Sequence, residues 1–240
     1  MRALRMAALG ALLAATLIPS AKAAQAQCNN KRATIVGTDG ADRLKGTSGT
    51  DVIAAHGGDD FVRGLNGEDF ICGGLGDDVL KGGSGQDHLT GNKGKDRLDG
   101  GYDDDNLNGT GGDDTLLGSW DCDELKGGSG RDHLDSGGVK NTRCFGDILT
   151  GGAGVDTFDM GAGGGSIFAG PGSEVIRGSK TLDNIDAGSG DDRVLAGGGP
   201  DTIRGQFGDD YLDGGPGNDQ IFGNRGTDTC RNGDTHTCER

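Results

Sequence analysis

The chain has 240 residues, of which 52 are glycine and 4 are proline, and its formal net charge at pH 7 is −15. Only 32% of the residues are hydrophobic and 4% are aromatic, which is too few for a conventional globular core, and the scarcity of proline excludes a collagen-like triple helix. The acidic balance excludes a typical nucleic-acid-binding protein and favours a protein that attracts cations.

The first predicted element is a secretory signal over residues 1–26. Basic residues precede an apolar run from Met6 to Ile18, and small residues follow it. This order is typical of a cleaved signal, and the run is too short for a permanent transmembrane helix. Cleavage fits after Ala23 and after Ala26, and either site removes three cations, which changes the net charge from −15 to −15 − 3 = −18. We therefore expect a secreted protein without a membrane span.

A nine-residue repeat follows a short degenerate unit, residues 27–36, which we interpret as an N-terminal cap. In the first array, residues 37–135, an aspartate recurs at every ninth position. A glycine opens nearly every unit, and an apolar residue stands two places after each aspartate, from Leu44 to Leu134. Because the glycine, the aspartate and the apolar residue all recur with the same nine-residue period over this length, the pattern is not a chance feature of a glycine-rich chain.

This pattern matches the consensus G-G-x-G-x-D-x-U-x, where U is a large apolar residue, and it resembles the RTX, or hemolysin-type, calcium-binding repeat. The resemblance covers residues 37 to 231. It implies an all-β fold, a right-handed parallel β-roll or β-helix solenoid of nine-residue repeats. Each unit would supply a short strand and a glycine-rich turn, and two units would form one coil with the U side chains inside.

The resemblance also implies that calcium is the cofactor, held between adjacent turns by aspartates and glycine-loop carbonyls. Stacked carboxylates about 5 Å apart repel by roughly 3 kcal/mol at an effective dielectric near 20. Ca²⁺ turns this repulsion into a net attraction because it accepts carboxylates and backbone carbonyls in flexible geometry. A metal-free ladder would instead favour neutral asparagine. The expected metal ligands are Asp42, Asp51, Asp60, Asp69, Asp78, Asp87, Asp96, Asp105, Asp114, Asp123, Asp132, Asp192, Asp201, Asp210 and Asp219.

A six-residue insertion, residues 136–141, precedes a second, partly degenerate array over residues 142–231. The aspartate step is interrupted there at Gly165 and Glu174 and continues from Asp183 to Asp228. Residues 232–240 are interpreted as a C-terminal disulfide cap.

All 6 cysteines follow the signal segment, and an even count in an exported chain favours disulfides. Two of them fall in neighbouring turns on one side of the expected solenoid, and two others lie in the last unit and just beyond it. Six cysteines allow 15 connectivities. We expect the pairs Cys122–Cys144, Cys230–Cys238 and Cys28–Cys72.

The sequence contains no recognisable catalytic constellation. None of the 4 histidines lies in an H-E-x-x-H motif, and there is no EF-hand pattern and no G-x-S-x-G elbow. We expect a structural or binding module without catalysis, with calcium ions as partners and no nucleic acid. The alternative is a calcium-dependent adhesin or surface-ligand binder with an extracellular surface or polysaccharide as partner, and an enzyme is the least favoured class. Basic residues beside the U positions are more simply a solvated face than a binding stripe.

Overall fold

A computed structural model describes residues 26–138 and 146–238 of the chain. Nearly all of the expected signal segment, residues 139–141 of the expected insertion and the last two residues of the expected C-terminal cap lie outside these ranges. In the described ranges the regular structure is β-strand throughout, and no helix is long and apolar enough to cross a membrane. The strands are β1 Gln27–Cys28, β2 Lys31–Arg32, β3 Ile35–Val36, β4 Arg43–Lys45, β5 Val52–Gly57, β6 Phe61–Asn66, β7 Phe70–Leu75, β8 Val79–Ser84, β9 His88–Lys93, β10 Arg97–Tyr102, β11 Asn106–Gly111, β12 Thr115–Trp120, β13 Glu124–Ser129, β14 His133–Gly138, β15 Asp147–Ala153, β16 Thr157–Asp159, β17 Gly165–Phe168, β18 Val175–Arg177, β19 Asp183–Ser189, β20 Arg193–Leu195, β21 Thr202–Phe207, β22 Tyr211–Asp213, β23 Gln220–Arg225, β24 Thr229–Arg231 and β25 Thr235–Thr237.

From β3 onward, each strand pairs in parallel with the strand two places along the chain. The even-numbered strands β4 to β24 form an 11-stranded sheet, and the odd-numbered strands β3 to β25 form a 12-stranded sheet. We call them the even sheet and the odd sheet. Leu98 aligns with Leu116, so one coil takes 18 residues, two repeat units. The expected all-β parallel solenoid is confirmed.

The extra residues between the two arrays do not interrupt either sheet. Leu125 aligns with Leu149, and Leu134 aligns with Phe158, at separations of 24 residues where other coils have 18. The strands on either side of the additional six residues are therefore in register.

The core is a stack of U side chains that both sheets contribute. From Ile53 to Ile221 the U residues are at most 2% exposed, and Ile35, Leu44 and Cys230 are partly buried at the two ends. The residues beside them in each strand point outward because strand side chains alternate. The interior is one aliphatic layer thick, so each coil buries little apolar surface.

The N-terminal segment covers part of the odd sheet's outer face. β1 and β2 pair antiparallel, and only β3 joins the stack, with Ile35 opposite Ile53. Cys28 packs against Val52 and Phe70, which are 8% and 5% exposed although they flank U positions. The hairpin therefore closes a second, small apolar cluster outside the solenoid core.

Two of the three expected disulfides are confirmed. Cys28 is bonded to Cys72, which holds the hairpin on the odd sheet, and Cys230 is bonded to Cys238 at the C-terminal end. The third expected pair, Cys122–Cys144, involves a cysteine outside the described residues, so it stays a prediction.

Candidate metal centre

The acids of the repeat stack into two columns, one along each edge of the flattened solenoid. Acids that precede even strands form the even column, and acids that precede odd strands form the odd column. The even column contains Asp42, Asp60, Asp78, Asp96, Asp114, Asp132, Asp156, Glu174, Asp192, Asp210 and Asp228. The odd column contains Asp51, Asp69, Asp87, Asp105, Asp123, Asp147, Asp183, Asp201 and Asp219, with Gly165 between Asp147 and Asp183. All of these acids except Asp42 are buried.

Glycine is needed in the turns because carboxylates and carbonyls occupy the space of a side chain. In the turn before Asp78, Gly74 and Gly76 have φ values of 127° and 117°, which side chains rarely adopt. A Cβ on Gly73 would collide with the Asp78 carboxylate and would also meet the carbonyl oxygen of Gly91. A carboxylate oxygen and a carbonyl oxygen of the next coil thus converge on one small space.

In most turns one carboxylate oxygen links two coils. Asp78 Oδ1 accepts a hydrogen bond from the backbone N–H of Asp60 at 2.8 Å, and Asp96 Oδ1 accepts one from Asp78 at 2.9 Å. The same bond recurs along both columns. An aspartate with this bond therefore ties its own coil to the one before it.

The other oxygen is without a donor in most turns. Fifteen aspartates have a buried Oδ2 with no hydrogen-bond partner in the described part of the chain, and both carboxylate oxygens of Glu174 share this condition. A buried, unpaired carboxylate oxygen is costly unless a cation or donor meets it. These aspartates are Asp60, Asp69, Asp78, Asp87, Asp96, Asp105, Asp114, Asp123, Asp132, Asp156, Asp192, Asp201, Asp210, Asp219 and Asp228.

Burial raises the pKa of most of these carboxyls, and neighbouring carboxylates raise it further at Asp87, Asp105 and Asp123. The pKa rises from an ordinary 3.8 to about 7 at Asp87, about 9 at Asp105 and about 8 at Asp123. The backbone N–H of the preceding coil lowers the pKa of each and only partly offsets the burial. The pKa of Glu174 rises to about 9, first through burial and then through Asp192. In the absence of a cation the columns would therefore hold protons near neutral pH.

The residues of the columns fit a calcium ion. Within residues 26–138 and 146–238, no three Asp, Glu, His or Cys side chains come together as a metal-binding group. A cation at a turn would thus depend on one or two carboxylates together with backbone carbonyls. Ca²⁺ accepts this mixture of oxygens in flexible geometry, whereas Mg²⁺ requires a near-ideal octahedron.

Most of the expected ligands share one feature in the structure. All of them except Asp42 and Asp51 have the unpaired Oδ2, and those two accept hydrogen bonds there instead. Asp156, Glu174 and Asp228 were not among the expected ligands, yet they have unpaired oxygens in the even column. The nine-residue step of the sequence already places them in the register of the other acids.

The chain was also compared with known proteins. The family model of the RTX calcium-binding nonapeptide repeat (4 copies) matches residues 36–71, 73–105, 99–134, 168–203 and 195–230, which together cover more than half of the chain. The unmatched stretch between residues 134 and 168 contains the insertion and Gly165. No curated protein matches the chain.

Proposed function

Because the chain belongs to the RTX calcium-binding nonapeptide repeat family, we propose that it is a secreted module folded by several calcium ions, structural or binding in role and without catalysis. The observation that carries this proposal is the double column of buried acids with unpaired oxygens. Bound calcium would supply the positive charge that these oxygens lack.

The protein's own residues prepare the turns for this role. The Oδ1 bond to the preceding coil fixes the orientation of each carboxylate, as between Asp78 and Asp60. The left-handed glycines hold the turn tight, so that Oδ2 and a carbonyl approach the same space. Because each coil has a thin aliphatic interior, charge neutralisation in the turns would decide whether the chain folds.

Secretion is supported by the signal-like order of residues 1–26 and by two disulfides, which persist in oxidising compartments. The proposal predicts that protein recovered from the culture medium lacks the signal, with a mass that corresponds to cleavage after Ala23 or Ala26. Uncleaved protein retained in cells would contradict it.

The calcium proposal is tested by titrating the dialysed protein with CaCl₂ and, in parallel, with MgCl₂, with calorimetric detection. Several calcium ions should bind per chain, with dissociation constants on the order of 10⁻⁴ to 10⁻³ M for an extracellular calcium module. Magnesium should produce little heat over the same range. Equal responses to the two ions would contradict a site built from carboxylates and flexible carbonyls.

A second candidate function is supported by a strip of cations on the even sheet. Its members lie on the outer face of β4, β6, β8 and β10, where they flank four successive U positions and share the face with a single acid, Asp99. The matching outward positions of β5, β7, β9 and β11 carry no Lys, Arg, Asp or Glu. The strip, which we call the basic strip, consists of Arg43, Lys45, Arg63, Lys81 and Arg97.

The basic strip suits a thin anionic polysaccharide better than an anionic membrane. A groove of about 430 Å³ runs along it, with Arg63, Lys81 and the ring of Tyr102 among its lining residues. Exposed acids such as Asp77 and Glu68 stand in the turns at both edges of the sheet, so a wide negative surface would be repelled there. A single chain in the groove would meet the cations and Asp99, which is ion-paired with Lys81 at 2.6 Å, but not the acids of the turns.

Affinity electrophoresis in dextran sulfate, at saturating calcium, tests this second candidate. Arg63→Gln with Arg97→Gln should lose most of the retardation, and the control pair Arg177→Gln with Arg193→Gln removes the same charge from the same sheet and should retain it. Equal losses in both pairs would indicate non-specific attraction. Binding to phosphatidylserine vesicles with no retardation in dextran sulfate would favour a membrane and reject the polysaccharide.

A further inference from the structure

In three turns of the solenoid, a hydroxyl group of the turn donates a hydrogen bond to the carboxylate of the same turn. In the turn over residues 46–51, Asp51 Oδ2 accepts hydrogen bonds from the Thr47 N–H at 2.6 Å and from Thr47 Oγ1 at 3.0 Å. Thr47 Oγ1 in turn accepts the N–H of Gly49 at 3.2 Å. The carboxylate oxygen that is unpaired in other turns therefore has two donors here.

The same arrangement recurs in two other turns. Asp42 Oδ2 accepts bonds from the N–H and Oγ1 of Thr38 at 2.6 and 2.9 Å. Asp183 Oδ2 accepts bonds from the N–H and Oγ of Ser179 at 2.7 and 3.0 Å. We call residues 37–42, 46–51 and 178–183 the hydroxyl-closed turns.

The backbone of the hydroxyl-closed turns differs as well. Thr38, Thr47 and Ser179 do not have a positive φ, although the second turn residue has one in the regular turns. Thr181 stands where regular turns have a left-handed glycine, and its N–H is bonded to Ser179 Oγ at 3.0 Å. A residue that departs from the repeat consensus is thus part of a second, consistent turn type.

Residue type alone does not produce this turn. Thr110 and Ser119 occupy the same place as Thr47, but their φ values are 86° and 87°. The aspartates of their turns, Asp114 and Asp123, keep an unpaired Oδ2. Something other than the presence of a hydroxyl must decide between the two turn types.

The preceding coil makes the difference. Every column acid with an unpaired oxygen aligns with another acid one coil earlier in its column. Asp51 aligns with Ala33, Asp183 aligns with Gly165, and Asp42 precedes β4, the edge strand of the even sheet. A run is a series of acids in successive coils of one column. The acid of each hydroxyl-closed turn is therefore the first acid of its run. The turn before Asp147 includes residues outside the described ranges.

We infer that calcium sites in this chain begin at the second acid of each run, and that the first acid is closed by a threonine or serine and holds no ion through its Oδ2. This inference rests on the proposed calcium function. It removes Asp42 and Asp51 from the expected ligands and assigns sites to the later acids of each run. The even column then carries one unbroken run up to Asp228, and the odd column has a gap around Gly165.

Counting the calcium ions on the intact mature chain by native mass spectrometry tests the inference. The two variants are Asp183→Asn and Asp201→Asn, neighbours in the odd column that are 0% and 1% exposed. Asparagine keeps a carbonyl oxygen for the hydrogen bonds and removes the charge. We expect Asp183→Asn to bind as many ions as the wild type and Asp201→Asn to lose at least one.

The outcomes separate this inference from the calcium proposal. Loss of an ion in Asp183→Asn overturns the inference while the calcium function stands. A wild type that binds no calcium overturns the calcium function itself, and an unchanged count in Asp201→Asn overturns the assignment of sites to unpaired oxygens.

A hydroxyl deletion provides a second measurement if an aspartate variant fails to fold. Ser179→Ala should keep the ion count and shift the calcium midpoint of folding upward, because Asp183 Oδ2 loses a donor. Ser119→Ala is the control, since its hydroxyl bonds Asp99 at 3.2 Å and does not serve the acid of its own turn. An equal shift in both variants would overturn the special role of the hydroxyl-closed turns.

Discussion

Each buried aspartate of the columns has two oxygens with different surroundings, and the turn glycines decide how closely those oxygens approach the backbone. Gly112 has a φ of 138°, and a Cβ there would collide with the carbonyl of Gly94 in the preceding coil. Gly49 holds the same place in its hydroxyl-closed turn, has no positive φ, and has no heavy atom within 4 Å of a Cβ. The same consensus glycine is thus required in one turn and replaceable in another.

Gly112→Ala should therefore destabilise the folded protein strongly, by about 1 to 3 kcal/mol, because both the backbone angle and the space are wrong for a side chain. Gly49→Ala should change stability by less than about 0.5 kcal/mol. Urea unfolding at saturating calcium measures both. Equal effects of the two substitutions would show that the turns do not differ as described.

The raised pKa values predict how pH acts on the calcium-free protein. A folded-state pKa above the ordinary value means that the folded chain binds protons more tightly than the unfolded chain. This contribution to stability is fully present below about pH 4 and is lost as pH rises through the folded pKa values, about 6 at Asp69, about 8 at Asp123 and about 9 at Asp105.

The strand signal of the calcium-free protein in far-UV circular dichroism should accordingly be strongest near pH 4 and decline towards pH 9. With calcium present the dependence should reverse, because calcium binds the deprotonated carboxylates and acid competes with it. A calcium-free strand signal that stays constant over this range would contradict the burial of unpaired carboxyls.

At the scale of elements, the two disulfides hold different segments of the chain. Cys28–Cys72 spans 44 residues and holds the N-terminal hairpin over Phe70, where Lys31 Nζ lies 3.8 Å from the ring centroid. Cys230–Cys238 spans 8 residues and closes the end of the last coil. The first disulfide restricts a much larger part of the unfolded chain.

Replacing both cysteines of the first pair, Cys28→Ala with Cys72→Ala, should lower stability by about 4 kcal/mol in the chain-entropy model. The matched change Cys230→Ala with Cys238→Ala should cost about 2.6 kcal/mol in that model. Denaturant-induced unfolding of the two double variants at saturating calcium measures the two losses of stability. A larger loss from the C-terminal pair would mean that the hairpin contributes little to the folded state.

The sequence predicts the strands and the core well, because one rule repeats in every unit. The U residues from Ile53 to Ile221 are buried, and the aspartate step places nearly every acid of the columns. The hairpin over Phe70 was not predicted, since residues 27–32 have no repeat to follow. The hydroxyl-closed turns were missed for a related reason. Thr47 and Thr110 look alike in sequence, and only the acid in the preceding coil separates them.

At the scale of the whole molecule, the two edges of the solenoid differ in continuity. The odd column is interrupted at Gly165, whereas in the next turn Glu174 keeps a buried carboxylate in the even column. Both sheets run through this region, with Ile176 aligned to Phe158 and Val194. Since solenoid coils interact mainly with their neighbours, under the proposed calcium function Glu174 would be the acid that links the ions on either side.

Glu174→Ala should therefore divide the calcium titration into two steps, because both columns would then be interrupted at the same level. The wild type should give one step. Glu124→Ala is the control, since this exposed glutamate lies on the outer face of β13 and accepts a bond from Asn106 at 3.0 Å. Two steps in the wild type would show that the even column does not couple the halves.

The most direct test of the calcium-dependent fold is far-UV circular dichroism of the mature protein in chelator at pH 7.5, followed by addition of calcium to several millimolar. The strand spectrum should be largely absent in chelator, appear on addition of calcium, and disappear again when chelator is restored in excess. Magnesium at the same concentration should not produce it. A strand spectrum that persists unchanged in excess chelator at this pH would contradict the claim that calcium folds the solenoid.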